Sequence, residues 1–199
     1  MSKKEVYSDK REVARQIFHL ILGLFIVLAI QLFAERTMII ILSIITVVGL
    51  LISLWSRDHK IPIIYKLLER FDRHEDMKVL PGKGAIFFFL GCSVALFMFG
   101  KTIASASIMI LAIGDSFNYL IGKPFGRIKT PLSDKKFLEG AIAGWLLASL
   151  GAMLFVNVFA AIVASFTAML IEFMDIGKRS VNDNFLIPII AGIVLIMLA

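Results

Sequence analysis

Seven apolar segments, each about 15–21 residues long, occupy most of this chain. A helix needs about 20 apolar residues to cross the hydrocarbon core of a bilayer. Inside lipid the backbone must satisfy its own hydrogen bonds, so segments of this length are expected as helices and not as strands. The segments are 17–34, 37–55, 84–100, 102–122, 140–156, 158–175 and 185–199. The pattern predicts an all-α integral membrane protein, a bundle of about seven transmembrane helices with short loops, in which 1–199 is a single transmembrane domain.

The composition agrees with a membrane solvent and argues against a soluble domain. Hydrophobic residues make up 59% of the 199 residues, whereas charged residues make up only 18%. A soluble globular domain is about half apolar and about one quarter charged. The few charged residues must therefore concentrate outside the apolar segments, and a charge within a segment needs an explanation.

Basic residues are distributed very unevenly among the polar stretches. Nineteen of the 21 Lys and Arg residues fall on the membrane side that the N-terminus would occupy, and only Arg36 and Lys101 fall on the other. Because Lys and Arg stay on the cytoplasmic side, we expect the N-terminus inside and the C-terminus outside. The stretch 57–79 is expected to be cytoplasmic and amphipathic, lying on the inner membrane surface. This asymmetry explains the net charge of +6 without nucleic-acid binding, and a basic face suits anionic headgroups or a polyphosphate.

Polar residues inside the apolar segments are the strongest pointers to function. Asp115 lies in the fourth segment and Glu172 in the sixth, both toward the cytoplasmic side. A charge at the centre of a span costs roughly 2.5–3.5 kcal/mol on insertion scales and usually faces a cavity or a partner. On the first helix, Glu12, Arg15, His19 and Gly23 are spaced three, four and four residues apart, which places them on one face. Polar packing between helices would explain any one of these residues, but polar faces on three segments at one depth indicate a site.

The stretch 123–139, between the fourth and fifth segments, is basic and begins with a glycine-flanked turn. Gly122 and Gly126 bracket Pro124, which should end the fourth helix near the membrane surface. Glycine lets a backbone approach a phosphate closely, lysine supplies positive charge, and the amides at a helix start favour anions. Paired carboxylates suit Mg²⁺, which prefers oxygen ligands and often shares them with phosphates. Because no P-loop motif is present, the stretch is predicted to bind a nucleotide in another way.

The acid, glycines and lysines of this region follow a family pattern. They match at Asp115, Gly122, Gly126, Lys135, Lys136, Glu139 and Gly140. This spacing resembles D-x-x-A-x-x-x-G-x-x-x-G-x₈-K-K-x-x-E-G, the nucleotide-binding pattern of the CTP-dependent polyprenol, dolichol and phytol kinases, which phosphatidate cytidylyltransferases share more loosely. Asn118 stands where alanine is usual, and Phe137 stands where threonine is usual.

Two further stretches resemble the kinase branch of that family. The first is "EVARQIFHLILGL", which matches E-x-x-R-K-x-x-H-x-x-x-G at Glu12, Arg15, His19 and Gly23, with Gln16 in place of lysine. The second is "IEFMDIGKRSVNDNFLIP", which matches a closing E…D-N-x-x-x-P block at Glu172, Asp183, Asn184 and Pro188. "LPGKGAIFFFLG", with Lys83, fits a smaller block of the same family. The cytidylyltransferase signature H-G-G-x-x-D-R-x-D is absent from the sequence.

The resemblance implies transfer of a phosphoryl group from CTP to the hydroxyl of a membrane lipid alcohol, a polyprenol such as dolichol, geranylgeraniol or phytol, or diacylglycerol. It implies Mg²⁺ or another divalent cation as cofactor, a cytoplasmic active site, no nucleic-acid partner, and compatibility with an oligomer. The implied catalytic residues are Asp115, His19, Arg15 and Glu172. The implied metal ligands are Asp115, Glu139, Glu172 and Asp183. The implied CTP-binding residues are Gly122, Gly126, Lys135, Lys136, Glu139, Gly140, Lys83, Asn118 and Asn184.

Two other functions remain open from the sequence. A CDP-lipid synthase of the phosphatidate cytidylyltransferase type would use the same nucleotide stretch, but its lipid phosphate would attack the α-phosphorus of CTP. An ion or lipid transporter would line its pathway with Asp115 and Glu172. A pathway needs polar groups toward both faces of the membrane, whereas the outer halves of these segments carry almost no charge.

Overall fold

The computed structural model describes residues 3–58, 80–130, 133–174 and 182–198, without the side chains of 3–9, 57–58 and 133–135. The cytoplasmic segment predicted at 57–79 lies almost wholly outside the described residues. The elements are α1 (Lys3–Leu32), α2 (Glu35–Asp58), α3 (Lys83–Phe125), β1 (Lys129–Thr130), β2 (Ser133–Phe137), α4 (Leu138–Ala152), α5 (Val158–Phe173) and α6 (Asp183–Leu198). Each of the seven apolar segments is therefore mainly helical, and the prediction of an all-α chain is confirmed.

Three helices are long and apolar enough to cross a membrane. They are Lys10–Leu32, Glu35–Ser56 and Lys83–Phe125, whereas α4, α5 and α6 are apolar but only 15 to 16 residues long. Large apolar side chains cover the outward faces of α1 and α2, where Phe25 of α1 is 64% exposed and Leu51 of α2 is 60% exposed. Apolar surface of this extent is rare on soluble monomers, and it suits contact with lipid.

The helix α3 reverses direction at Gly100. This residue has φ 70 and ψ 175, a conformation that glycine adopts without a Cβ clash. A straight helix would hold Phe88 and Ala112 about 36 Å apart, at about 1.5 Å per residue. Both instead pack beside Gly23 of α1, where a Cβ would lie 2.3 Å from Ala112 Cβ and 3.7 Å from Phe88 Cζ. The segments 83–99 and 101–125 therefore form a helical hairpin. This agrees with the boundary predicted between the third and fourth apolar segments.

The second half of α3 is the centre of the molecule, because its small residues let other helices approach closely. The fully buried Ala104, Ala106 and Ala112 lie on this half. Contacts with α1 pair Gln16 with Ser116, Gly23 with Ala112 and Gln31 with Ser105. Contacts with α4 pair Gly140 with Asn118, Gly144 with Gly114 and Gly151 with Met109. Both α1 and α4 therefore run antiparallel to 101–125 and bring their N-terminal ends to its C-terminal end.

The first half of α3 pairs with α2 and α6. Ser43 of α2 is hydrogen-bonded to Ser93 at 2.8 Å. On the other side, a Cβ at Gly91 would lie 2.6 Å from Asn184 O, and one at Gly192 would lie 2.2 Å from Phe99 Cε2. The helix α6 thus runs parallel to 83–99, and its N-terminus reaches the same end of the bundle as Asp115.

Part of the stretch between α3 and α4 is a small antiparallel hairpin, which the sequence did not predict. β1 pairs with β2 so that Lys129 faces Phe137 and Thr130 faces Ser133, with an irregularity in register between Lys129 and Thr130. Such a short, polar pair has little apolar surface to bury and is marginal by itself. Its side chains instead attach it to α5.

Candidate functional site

The imidazole of His19 and the carboxylate of Asp115 face each other between α1 and α3. His19 Nε2 lies 3.8 Å from Asp115 Oδ2, and the two side chains are 12% and 16% exposed. The ring of His19 also packs on the ring of Phe88, with centroids 4.5 Å apart. The close approach of Gly23 to Ala112 holds the two helices together one turn further along. Two predicted catalytic residues are therefore brought together, with Phe88 fixing the plane of the imidazole.

Arg15 lies one turn before His19, on the same face of α1. Its guanidinium donates to Glu12 through Nη2 to Oε1 and through Nε to Oε2, the latter at 3.2 Å. Arg15 is also close enough to act electrostatically on His19 and Asp115. The predicted Glu12, Arg15 and His19 face is therefore present as one polar strip that leads to Asp115.

Lys136 of β2 joins the end of α5 to the start of α6. Its Nζ lies 2.8 Å from Glu172 Oε1 and 3.7 Å from Asp183 Oδ2. It also donates a hydrogen bond of 2.6 Å to the backbone carbonyl of Glu172. Asp115 is within electrostatic range of Lys136 and of both carboxylates. We call Asp115, Lys136, Glu172 and Asp183 the acid–lysine cluster.

The β-hairpin caps the C-terminal end of α5 with two side chains. Besides Lys136 on Glu172 O, Thr130 Oγ1 donates to Phe173 O at 2.8 Å. The last carbonyls of a helix have no partner within the helix, so donors from elsewhere stabilise this end. The hairpin is thereby attached to α5, and this contact places Lys136 beside the acids.

Glu172 is the most deeply buried member of the cluster and is 3% exposed. Its Oε1 accepts from Lys136 and, at 3.5 Å, from Asn118 Nδ2. Its Oε2 is buried without a hydrogen-bond partner among the described residues. Leaving a buried polar atom without a partner costs free energy. This oxygen could therefore accept a hydrogen bond or coordinate a cation.

The predicted nucleotide-binding glycines serve helix packing in this structure. A Cβ at Gly140 would lie 2.2 Å from Asn118 O and 2.7 Å from Gly122 Cα, and one at Gly126 would lie 2.3 Å from Phe137 Cγ. The backbones of α3 and α4 can therefore cross closely where the basic stretch begins and ends. An approach of these glycines to phosphate stays a prediction.

Glu139 is placed differently from the other predicted metal ligands. Its Oε1 accepts from the backbone N–H groups of Arg127 at 2.9 Å and Ile128 at 3.2 Å. Hydrogen bonds from its own backbone N–H and from those two amides hold the pKa of Glu139 below its usual value. The carboxylate thus fixes the turn after α3, and a metal role for Glu139 stays a prediction.

The remaining predicted residues lie at the same end of the bundle. Asn184 Nδ2 donates to Gly84 O at 2.9 Å, which ties the start of α6 to the start of α3 beside Lys83. Lys135 belongs to β2, but its side chain falls outside what the structure describes. Among the described residues, no group of three or more His, Cys, Asp or Glu side chains is arranged to hold a metal ion.

Sequence reasoning missed several residues that shape the site. Phe88, in an apolar run, supports the His19 ring, and Thr130 holds the hairpin to α5. Ser116 donates to the Gln16 carbonyl at 3.0 Å and joins α1 to α3 beside Asp115. Ser116 could have been suspected because it directly follows Asp115 in the sequence. Nothing in the sequence distinguishes Phe88 or Thr130 from other residues of their kind.

Comparison with known proteins found a relative over nearly the whole chain. The chain is 31% identical over 186 residues to the uncharacterized protein MJ1137 of Methanocaldococcus jannaschii, and the match covers 93% of each chain. No family model matches the chain, and no solved structure matches it. The relationship therefore supports a shared fold over those 186 residues. The relative has no described function, so function is argued from the acid–lysine cluster.

Proposed function

The chain belongs to the same family as the uncharacterized Methanocaldococcus jannaschii protein, and we propose that it is a membrane kinase that transfers the γ-phosphoryl group of CTP to a lipid alcohol. The observation that carries the proposal is the meeting of three distant stretches at one end of the bundle. His19 lies beside Asp115, while Lys136 lies between Glu172 and Asp183. These are the stretches whose spacing resembles the CTP-dependent lipid kinases.

The proposed enzyme crosses the membrane seven times, with α3 contributing two spans. Helices of 16 residues such as α5 are about 24 Å long, compared with a hydrocarbon core of about 30 Å. Local thinning of the bilayer accommodates such a mismatch at a modest cost. The uneven distribution of basic residues supports a cytoplasmic location for the N-terminus and the cluster, where CTP is available, and an outside location for the C-terminus.

A divalent ion with a triphosphate would draw its ligands from the acids of the cluster, although the described side chains do not themselves form a group of three around a metal position. Three carboxylates, from Asp115, Glu172 and Asp183, outnumber the one ammonium among them, and Glu172 Oε2 has no partner among the described residues. Carboxylate oxygens suit Mg²⁺, which when bound would neutralise charge on the phosphates. Lys135 and Lys136 are consecutive residues of β2, with Lys136 beside Glu172 and Asp183, and both would bind the triphosphate.

The acceptor hydroxyl would reach the cluster from the bilayer and lie near His19. Its oxygen forms the new bond to the γ-phosphorus as the bond from that phosphorus to the β–γ bridging oxygen breaks, and CDP leaves. The hydroxyl proton passes to His19 Nε2, which has no hydrogen-bond partner among the described residues. Phosphoryl transfer depends mainly on positioning and charge, so Arg15 would contact the phosphates, whereas Asp115 would orient the imidazole and bind the divalent ion.

The test is to follow each phosphorus of CTP separately. Purified protein in liposomes receives Mg²⁺, a polyprenol, and CTP labelled at the α- or the γ-phosphorus. The proposal requires γ-label, and no α-label, in the organic phase. Entry of α-label only when phosphatidic acid or its ether counterpart is the acceptor would identify a CDP-lipid synthase instead. If neither label moves with any acceptor, the enzyme proposal is wrong and transport becomes the function to measure.

A further inference from the structure

The two glutamines of α1 differ in how their side chains are paired. Gln31 Nε2 donates a hydrogen bond of 2.7 Å to Ser105 Oγ, as a polar side chain at an interface between membrane helices is expected to do. Gln16 is only 3% exposed, yet its Oε1 is buried without a hydrogen-bond partner among the described residues. Buried polar atoms are nearly always paired, so an unpaired one needs a physical explanation. Helix packing explains Gln31 and leaves the side chain of Gln16 unexplained.

Gln16 lies beside His19 in the interface between α1 and the second half of α3. Ser116 Oγ donates to the Gln16 backbone carbonyl at 3.0 Å, and His19 Nε2 lies 3.8 Å from Asp115 Oδ2. Residues three apart in a helix are neighbours on one face, so the side chains of Gln16 and His19 lie next to each other. His19 Nε2 is also buried without a hydrogen-bond partner in the part of the chain that the structure describes. Two neighbouring side chains with unpaired polar atoms indicate a place for a small polar group.

The chemistry of this pair suits an uncharged hydroxyl. A hydroxyl has one donor and two acceptor lone pairs, an imidazole nitrogen without a proton is an acceptor, and an amide carries both an acceptor oxygen and a nitrogen with two donors. Rotation of the amide by half a turn exchanges its oxygen and its nitrogen. Gln16 Nε2 can then donate to the hydroxyl oxygen while the hydroxyl donates to His19 Nε2. A phosphate in this place would need fixed positive charge from its partners, which an amide does not carry.

We propose that Gln16 binds the hydroxyl of an uncharged lipid alcohol and orients it toward His19. That this alcohol is the phosphoryl acceptor rests on the proposed function, whereas its binding does not. One lone pair of the hydroxyl oxygen accepts from Gln16, and the other forms the bond to the γ-phosphorus. The proton passes to His19 Nε2 as the bond from the γ-phosphorus to the bridging oxygen breaks and CDP leaves. Gln16 thereby favours an acceptor that ends in a hydroxyl over a lipid phosphate.

A structural role for Gln16 makes different predictions. If its amide only packs between the helices or holds a buried water, its replacement leaves the affinity for an alcohol unchanged. Removing an unpaired buried polar atom costs nothing in hydrogen bonding, so Gln16→Met should keep or raise the thermal unfolding temperature. Gln31→Met removes the hydrogen bond to Ser105 and should lower that temperature. The same substitution on the same helix therefore serves as a matched control.

The experiment measures equilibrium binding of radiolabelled geranylgeraniol to the nucleotide-free full-length protein in detergent. The second probe is the hydrocarbon with the same chain and no hydroxyl. Gln16→Met is the main variant, and Gln16→Leu is a second apolar replacement in case the first does not fold. We expect the Kd for the alcohol to rise about tenfold in the Gln16 variants, the effect of losing one buried hydrogen bond. The Kd for the hydrocarbon should stay within about twofold of the wild-type value, and Gln31→Met should bind both probes as wild type does.

An alcohol Kd within about twofold of the wild-type value in a folded Gln16 variant would overturn the proposal. An equal rise for the hydrocarbon, an equal rise in Gln31→Met, or loss of folded protein in both Gln16 variants would also overturn it. Failure of the proposed function looks different. Weaker alcohol binding in Gln16→Met, in a protein whose wild type transfers no γ-label, would support the hydroxyl site and refute the kinase. Transfer of γ-label with an unchanged alcohol Kd and an unchanged KM for the alcohol would do the reverse.

Discussion

His19 Nε2 lies 3.8 Å from Asp115 Oδ2, although these residues come from the first and third helices. The pairing places the proposed proton acceptor, His19, beside the carboxylate that would bind the divalent ion. Each partner can be changed separately, because His19 is supported by Phe88 and the helix contact by Gly23 and Ala112.

Replacing His19 should remove the proton acceptor without disrupting the bundle. We expect His19→Gln to lower kcat for lipid phosphorylation by about 10²–10⁴-fold, the usual contribution of general acid–base catalysis. Ser105→Ala is the matched control, because Ser105 is buried and hydrogen-bonded to Gln31 at the other end of the bundle. Equal losses in the two variants would mean that His19 acts only in packing.

Asp115→Asn should abolish activity and preserve the fold. Asp115 would bind the divalent ion, and that ion contributes several kcal/mol of charge stabilisation to the transition state, so we expect kcat to fall by about 100-fold or more. The amide is nearly isosteric and costs less to bury than a carboxylate, so the thermal unfolding temperature should hold or rise. Unfolded protein with this variant would instead show that Asp115 serves mainly as polar packing between helices.

Gly140→Ala should separate the backbones of α3 and α4. The new Cβ would lie 2.2 Å from Asn118 O and 2.7 Å from Gly122 Cα, and backbone atoms cannot yield cheaply. We expect a destabilisation of about 1–3 kcal/mol, measured by thermal or denaturant unfolding in detergent. Gly49→Ala is the control, since its Cβ would meet only Ile86 Cγ1 at 3.7 Å. That variant should be neutral or stabilised by up to about 1 kcal/mol, and a similar loss in both would contradict the packing argument.

The orientation of the chain can be read from cysteine labelling. In a Cys92→Ala background, an impermeant maleimide added to intact cells should label Thr102→Cys and leave Lys123→Cys unlabelled. Both positions are exposed, and they lie at opposite ends of the second half of α3. The reverse pattern would place the cluster outside the cell, away from CTP.

The sequence predicted the helices and the convergence of the motifs more fully than the contacts within the site. The lengths of the apolar segments predict the helices, and the glycine at residue 100 lies where α3 reverses direction. The positions of these features along the sequence were therefore enough to predict the helices and the reversal. The hairpin at 129–137 was not predicted, because its strands are polar and it depends on Thr130 and Lys136 reaching the end of α5.

The partners of individual charges were the least predictable feature. Glu139 stands next to Gly140 in the pattern, yet its carboxylate accepts hydrogen bonds from the amides of Arg127 and Ile128. Lys136 was expected on phosphates, and its ammonium lies on the carboxylate of Glu172. A sequence pattern specifies which residues approach one another, whereas the pairing among them depends on tertiary geometry and on the ligands present.

The central claim is that Asp115 and Glu172 act in one catalytic site, and a double-mutant cycle on γ-phosphoryl transfer tests it most directly. The rate of γ-label transfer from CTP to a polyprenol is measured for wild type, Asp115→Asn, Glu172→Gln and the double variant, all shown to be folded. Residues that act as a unit have strongly non-additive effects on rate. We therefore predict that the double variant is no slower than the slower single variant, whereas rate losses that multiply, or a single variant with near-normal transfer, would contradict the account.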